Sequence, residues 1–206
     1  IPLERIEESV KKILMAKYKV GLNKLKPVEK VNIVNEMNEE ADLALLDKIA
    51  SEALTLVKNE NQILPFKNLS DKKIGYLKLG DDNNKVFLDF LNKYQSITEI
   101  SIDDNFDFKS FSSYHKIIIG FHKSDKSPFG EFKFEKNEIE IIEKVKKLTD
   151  LVLVVFAKPY CVSDLDIDGI ESILIAYQNS DIFQEKAAQA IFGAIQVKGK
   201  LPVTIH

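Results

Sequence analysis

The chain has very little cysteine and histidine, the residues that cross-link small proteins and hold zinc. It contains one cysteine, Cys161, among 206 residues, which excludes an internal disulfide framework. That cysteine reads as a small buried hydrophobe. His115, His122 and His206 do not form a ligand cluster by spacing, and Cys161 has no metal-type residue near it. Long apolar runs are missing as well: residues 151–157 suit a buried strand and fall far short of the ~20 residues of a membrane span. There is no excess of positive charge. The net charge is -3, with Lys and Glu interspersed, which argues against a nucleic-acid-binding face. No glycine-rich phosphate loop follows an apolar run, since Leu79-Gly80-Asp81-Asp82 has one glycine where the dinucleotide fingerprint has three. A Gly-x-Ser-x-Gly elbow is absent too, which removes the signature of a serine hydrolase. Internal repeats and low-complexity linkers are also lacking. The sequence opens Ile1-Pro2, without methionine or signal segment, and reads as an internal cut.

What is present is the material of a globular domain with a helical preamble, 45% hydrophobic and 30% charged. Ile6, Val10, Ile13, Leu14 and Tyr18 recur at helical spacing, and Gly21 suits a left-handed C-cap. Pro27 sits just inside a second helical stretch, residues 28–37. A third helix is expected over 42–54, with Leu43, Leu46, Ile49, Ala50 and Ala53 as its inner face. Beyond it the pattern changes. Short runs rich in Ile, Leu and Val at 54–57, 74–79, 97–102, 117–121, 151–156 and 172–176 alternate with amphipathic stretches at 84–94, 136–148 and 182–192. Strands that are apolar throughout, alternating with helices, predict an α/β class: a three-layer α/β/α sandwich with a largely parallel sheet. A last strand is expected at 203–205, after Pro202.

Four segments, in order, resemble parts of family 3 glycoside hydrolases. Residues 5–22, RIEESVKKILMAKYKVGL, are similar to the helix that ends the family's catalytic barrel. Residues 47–66, with SEALTLVKNENQILPF at their end, resemble the opening of its second domain. Residues 154–160, VVFAKPY, and 187–203, AAQAIFGAIQVKGKLPV, resemble a late strand and turn and the closing helix, glycine turn and strand. Details such as Ser127-Pro128-Phe129-Gly130 look most like the β-N-acetylhexosaminidase branch of Bacteroidetes-type bacteria. The resemblance implies that residues 1–50 are a last barrel helix and helical linker, and 51–206 the family's C-terminal α/β sandwich domain. It implies a retaining hydrolase of amino-sugar glycans that uses no cofactor, in which this domain packs against the barrel of the same polypeptide and closes one side of the substrate cleft. Periplasm or cell surface is the location expected from it. The alternative is a non-catalytic carbohydrate-binding or scaffolding module.

Retaining hydrolysis needs a nucleophile and an acid/base flanking the scissile bond. In the family the nucleophile is a barrel aspartate, and nothing in this chain matches its motif. In hexosaminidase members the acid/base is a barrel histidine, likewise absent, so no catalytic residue is assigned and the chain alone is expected to be inactive. β-Glucosidase members donate an acidic residue from the second domain, on a loop that falls near residues 122–134 here. That loop follows an apolar run, where open parallel sheets bind ligands. His122, Asp125 and Glu131 are its candidate substrate-proximal groups. The glucosidase pattern around the acid is not reproduced, so hydroxyl binding is the expected role rather than proton transfer. Asp164-Leu-Asp166-Ile-Asp168-Gly169 imitates the start of a calcium loop, but its twelfth position is Ile175, which cannot ligate. It reads as a structural turn.

Overall fold

A computed structural model describes all residues except Val28, Glu29, Asn68, Asp71, Asp125, Pro128, Phe129, Glu131, Ile205 and His206. The chain divides into two compact units, Ile1–Asp42 and Leu43–His206.

The first unit contains helix α1 (Leu3–Lys19), whose apolar residues fall on one stripe: Ile6, Val10, Leu14 and Tyr18. None of them is buried. Gly21 follows in the left-handed conformation, φ 78°, as its position after the last turn predicts. The second helix is shorter than its pattern suggests. Only Ile33–Glu36 (α2) is helical, and Val28 and Glu29 lie outside the described residues. Four residues make barely one turn, which the cost of helix nucleation leaves weak without packing.

The second unit is an α/β/α sandwich. Helix α3 (Glu40–Ala53), which begins in the first unit, leads into strand β1 (Thr55–Asn59). Then come β2 (Ile74–Gly80), α4 (Lys85–Tyr94), β3 (Ile97–Ile100), β4 (Lys116–His122), α5 (Lys136–Val145), β5 (Asp150–Phe156), β6 (Ser172–Ile175) and α6 (Asp181–Ile191). The six strands lie in the order β1-β6-β5-β4-β2-β3. All neighbours are parallel except β1, which runs antiparallel to β6 on the edge. The sheet is therefore largely parallel, as the uninterrupted apolar runs require.

Alternation along the strands builds two cores. Tyr76, Ile118, Val154, Phe156 and Leu174 face Phe87 and Leu91 of α4 and Phe183, Ala187 and Ile191 of α6. On the other side Ile117, Ile119, Phe121, Leu153, Val155 and Ile173 meet Ile142 and Val145 of α5 and Phe111. Most of these side chains are fully buried, and each large one contributes about 1.5–3 kcal/mol of hydrophobic stabilisation. α4 is held by spacing: Phe87 and Leu91, four residues apart, are its buried pair. α5 starts with a capping box between Glu135 and Glu138.

Two expectations give way. α3 was expected to bury Leu43, Leu46 and Ile49, yet these are exposed, and Ala50 alone is buried. Its contact with the sandwich is made by small residues near its C-terminus, with Ala53 packed against the same core. Asp47 of α3 pairs with the buried Lys186 at 2.6 Å. The expected closing strand is also missing among the described residues, since Pro202 and Val203 form a bend and Ile205 lies outside them. The backbone there is engaged earlier, where Gly199 N–H donates to Leu54 O at 3.1 Å.

Candidate functional site

From β2 the chain moves outward to β3 on the edge, then returns to the opposite flank of β2 as β4. The order reverses between β2 and β4, and crevices outside the carboxyl ends of strands at such a point are where open α/β sheets bind ligands. The ends that meet there are Gly80 and His122, which pair in register.

Gly80 has φ +86°, and a Cβ there would sit 2.0 Å from His122 O. Only glycine fits so close to the neighbouring backbone. Its N–H donates to Glu138 Oε1 at 2.7 Å, while Glu138 Oε2 accepts from Glu135 N–H at 2.8 Å. The end of β2 is thereby tied to the start of α5.

His122 is the last residue of β4, fully buried rather than displayed on the following loop. Its ring stacks on Phe156, with centroids 4.4 Å apart and planes at 16°, and approaches Phe87 at 5.8 Å. Both ring nitrogens are engaged. Nδ1 lies 2.6 Å from Asn179 Oδ1 and Nε2 lies 2.9 Å from the Tyr76 hydroxyl. Gly120, two residues earlier on the same face, leaves the space: a Cβ there would lie 2.5 Å from His122 Nε2 and 2.9 Å from Tyr76 Oη.

Fixed backbone groups determine the protons in this network. Phe87 N–H donates to Gln184 Oε1 at 2.9 Å, so the Gln184 amide nitrogen turns toward the oxygens of Asn83 and Asn179. Asn179 Nδ2 donates to Asn83 O at 2.9 Å, which leaves Asn179 Oδ1 as an acceptor. His122 Nδ1 must then carry the hydrogen, and Nε2 accepts from the Tyr76 O–H. Burial drives the His122 imidazole from its ordinary 6.5 down to about 4, against the opposing pull of the Asn179 bond. Burial likewise raises the Tyr76 phenol well above its usual range, so it stays a donor. The histidine is neutral, locked in one tautomer, and serves to join β2, β4, α4 and the segment leading into α6.

That network grips the carbonyl of Asn83 and so fixes the β2–α4 loop. Asp82 N–H donates to His122 O at 3.2 Å, and Asp82 Oδ1 accepts from Asn83 N–H at 2.9 Å. Asp81 faces outward, its side chain 61% exposed. Its Oδ1 accepts from Ser124 N–H at 3.1 Å and its Oδ2 pairs with Lys123 Nζ at 3.2 Å. Burial pulls the Asp81 carboxyl upward, but the Ser124 N–H and the Lys123 ammonium outweigh it and hold the group below the usual carboxylate range. Lys123 itself is buried.

Of the sequence candidates, His122 stands at the crevice as a buried connector, while Asp125 and Glu131 lie outside the described residues. Sequence reasoning passed over Tyr76, Asp81, Asn179 and Gln184. A signal existed for one of them: Gln184, a glutamine inside the apolar face of α6, needs buried polar company, as does the histidine that ends an apolar strand. Asp166 accepts from Lys146 Nζ at 3.0 Å and from Asp168 N–H at 3.2 Å, so the calcium-like run is a turn docked beside α5. No cluster of three or more metal-type ligands occurs among the described residues, and none of the described helices is long and apolar enough to cross a membrane.

No protein-family profile matches the chain. A Formosa agariphila protein described as a candidate β-xylosidase is 25% identical over 233 residues, a match covering 97% of this chain and 31% of that protein. Among solved structures, a β-glucoside phosphorylase bound to 2FGlc superposes with TM-score 0.75 at 18% identity, over 99% of this chain and 39% of that one. A fungal multi-domain GH3 β-N-acetylglucosaminidase gives 0.65 at 21% identity, over 88% and 21%. The family 3 β-N-acetylglucosaminidase of Paenibacillus sp. gives 0.63 at 16%, over 98% and 40%. The chain spans under a third of its curated relative and at most two-fifths of these structures. Its α/β/α sandwich is thus the fold of one part of family 3 glycoside hydrolases.

Proposed function

We propose that the chain is the second, α/β domain of a family 3 retaining glycoside hydrolase acting on amino-sugar glycans as a β-N-acetylhexosaminidase. The observation that carries this reading is coverage: 98% of the chain falls on 40% of a family 3 β-N-acetylglucosaminidase, and the four ordered sequence segments agree with it. The domain would pack against the catalytic barrel of the same polypeptide. Exposed apolar side chains support that role, Ile6, Val10, Leu14 and Tyr18 on α1 and, separately, Leu43, Leu46 and Ile49 on α3.

Retaining hydrolysis divides its chemistry between two groups about 5–5.5 Å apart. The described residues at the crevice offer no such pair. Asp81 is tied to a lysine, Asp82 is turned into its own loop, and His122 is sealed in the core. This domain therefore contributes a wall of the cleft and hydrogen bonds to hydroxyls, with the nucleophile and the acid/base on the barrel. A second reading, hydrolysis of β-xylosides, is favoured by the Formosa relative.

Aryl β-glycosides separate the readings. The parent polypeptide is expected to turn over the N-acetylglucosaminide, and turnover confined to the xyloside would replace the amino-sugar assignment. Residues 1–206 alone are expected to be silent. Turnover by the isolated chain that disappears in Glu131→Gln would move the chemistry onto this domain.

A further inference from the structure

The proposed cleft wall still needs a group that touches ligand. Most polar side chains at the crevice are consumed by the fold. His122 spends both nitrogens, and Asn179 and Gln184 spend their amides on Asn83 O and on one another. Asp82 is half-buried and gives its carboxylate to the Asn83 N–H within its own loop and to the Asn179 side chain.

Asp81 differs. Each oxygen of its carboxylate has a partner, Oδ1 the Ser124 N–H and Oδ2 the Lys123 Nζ, while the side chain remains 61% exposed. Two carboxylate oxygens offer about four acceptor positions, and Ser124 N–H, Lys123 Nζ and Asp81's own N–H take three, so acceptor capacity remains for a ligand. The loop that carries it cannot drift. Asn83 O, two residues on, receives both side-chain amides of the buried network at 2.9 and 3.0 Å. Gly80, the residue before Asp81, is pinned to Glu138 and pressed on His122 O. An oriented, ionised acceptor on a rigid support, opening on the sheet's reversal point, is how a binding group is built.

The charge around it selects the ligand. A buried ammonium 3.2 Å away offsets the carboxylate, which disfavours a metal ion or cationic ligand. The exposed carboxylate disfavours an anion. What remains is a neutral molecule rich in O–H donors. We infer that Asp81 is the saccharide-contacting residue of this domain, accepting hydroxyl hydrogen bonds from a neutral sugar, and that Tyr76, His122, Asn179 and Gln184 are the positioning residues that hold its loop. The inference rests on the glycoside-hydrolase reading above and adds to it the residue and the ligand chemistry.

The test titrates the ¹⁵N-labelled chain with diacetylchitobiose, xylobiose and cellobiose while following amide resonances. Saturable shifts centred on Asp82 and Ser124, induced by at least one disaccharide and insensitive to salt, are expected. Asp81→Ala should weaken binding about tenfold or more, the loss expected for hydrogen bonds to a charged acceptor. Asn179→Ala should weaken it too, with Asp81 intact, and should also shift the His122 ring nitrogens from the Nδ1–H pattern, which a purely structural defect elsewhere would not do. No saturable shift with any of the three sugars, or shifts that survive Asp81→Ala, would overturn the inference. The broader reading is tested apart from it. A parent enzyme active on aryl β-glycosides whose Asp81→Ala variant keeps its KM sinks the role of Asp81 alone, whereas an inactive parent sinks the reading.

Discussion

Acidification should unfold this domain through His122. The perturbation is a fall in pH from 7 to 4.5, and its magnitude follows from burial. The imidazole takes a proton at 6.5 when exposed but only near 4 in the folded chain. Between those values the unfolded state binds a proton that the native state refuses, so stability drops as pH falls. The slope is about 1.4 kcal/mol per pH unit, and the full loss is about 3 kcal/mol by the time the folded ring also titrates. Above pH 6.5 the contribution is fully present, and below about 4 no more is lost from this group. The carboxylates held below their ordinary range, Asp81, Asp82 and Asp166, lose their contribution mostly below about pH 5, which separates the two effects. Urea unfolding of wild type and His122→Gln at half-unit steps from pH 7 to 5 measures the difference. The wild-type midpoint should fall steadily across that range and the variant's should stay nearly level, starting from a lower stability. Equal slopes in the two proteins, or a His122 ring signal titrating near 6.5, would refute the reasoning.

Three further outcomes are expected. Gly120→Ala should destabilise by about 1–3 kcal/mol, because its Cβ would press on the His122–Tyr76 bond; thermal unfolding read at pH 7 checks it. Gln184→Leu keeps the volume but leaves Phe87 N–H and Asn83 O without that side chain; a loss of about 1–3 kcal/mol should come with faster amide exchange confined to the start of α4. Cys161 is buried and its thiol is pushed up to about 12 by burial, so a disulfide reagent at pH 8 should label it only at the rate of unfolding. Rapid labelling of the native chain would contradict that.

The sandwich was legible in the sequence because each buried strand is its own signal. Residues 117–121 and 151–156 are apolar at every position but one, which is what a strand covered on both faces demands. α3 misled for a related reason. Leu43, Leu46 and Ile49 have the spacing of a core face, but periodicity reports that a stripe is apolar and is silent on what covers it. The polar network was out of reach for a different one. Tyr76 and His122 are 46 positions apart, His122 and Asn179 are 57, and Phe87 and Gln184 are 97. Only closure of the sheet brings them together, and no local pattern marks residues whose shared property is a hydrogen bond across the fold. Asp81 was visible as part of a failed phosphate loop. Its orientation depends on Lys123 and Ser124 at the end of another strand.

The bond from Gly199 N–H to Leu54 O has a mechanical consequence. A Cβ at Gly199 would lie 2.4 Å from Leu54 O, so the two backbones touch where the chain enters the sandwich and where it leaves. Entry and exit share one neck. A tug on either flank is shared between that contact and the side chains beside it, Ala53, Ile195, Val197 and Leu201, which pack on the two cores. In a longer polypeptide this would let neighbouring parts shift without prising the crevice apart.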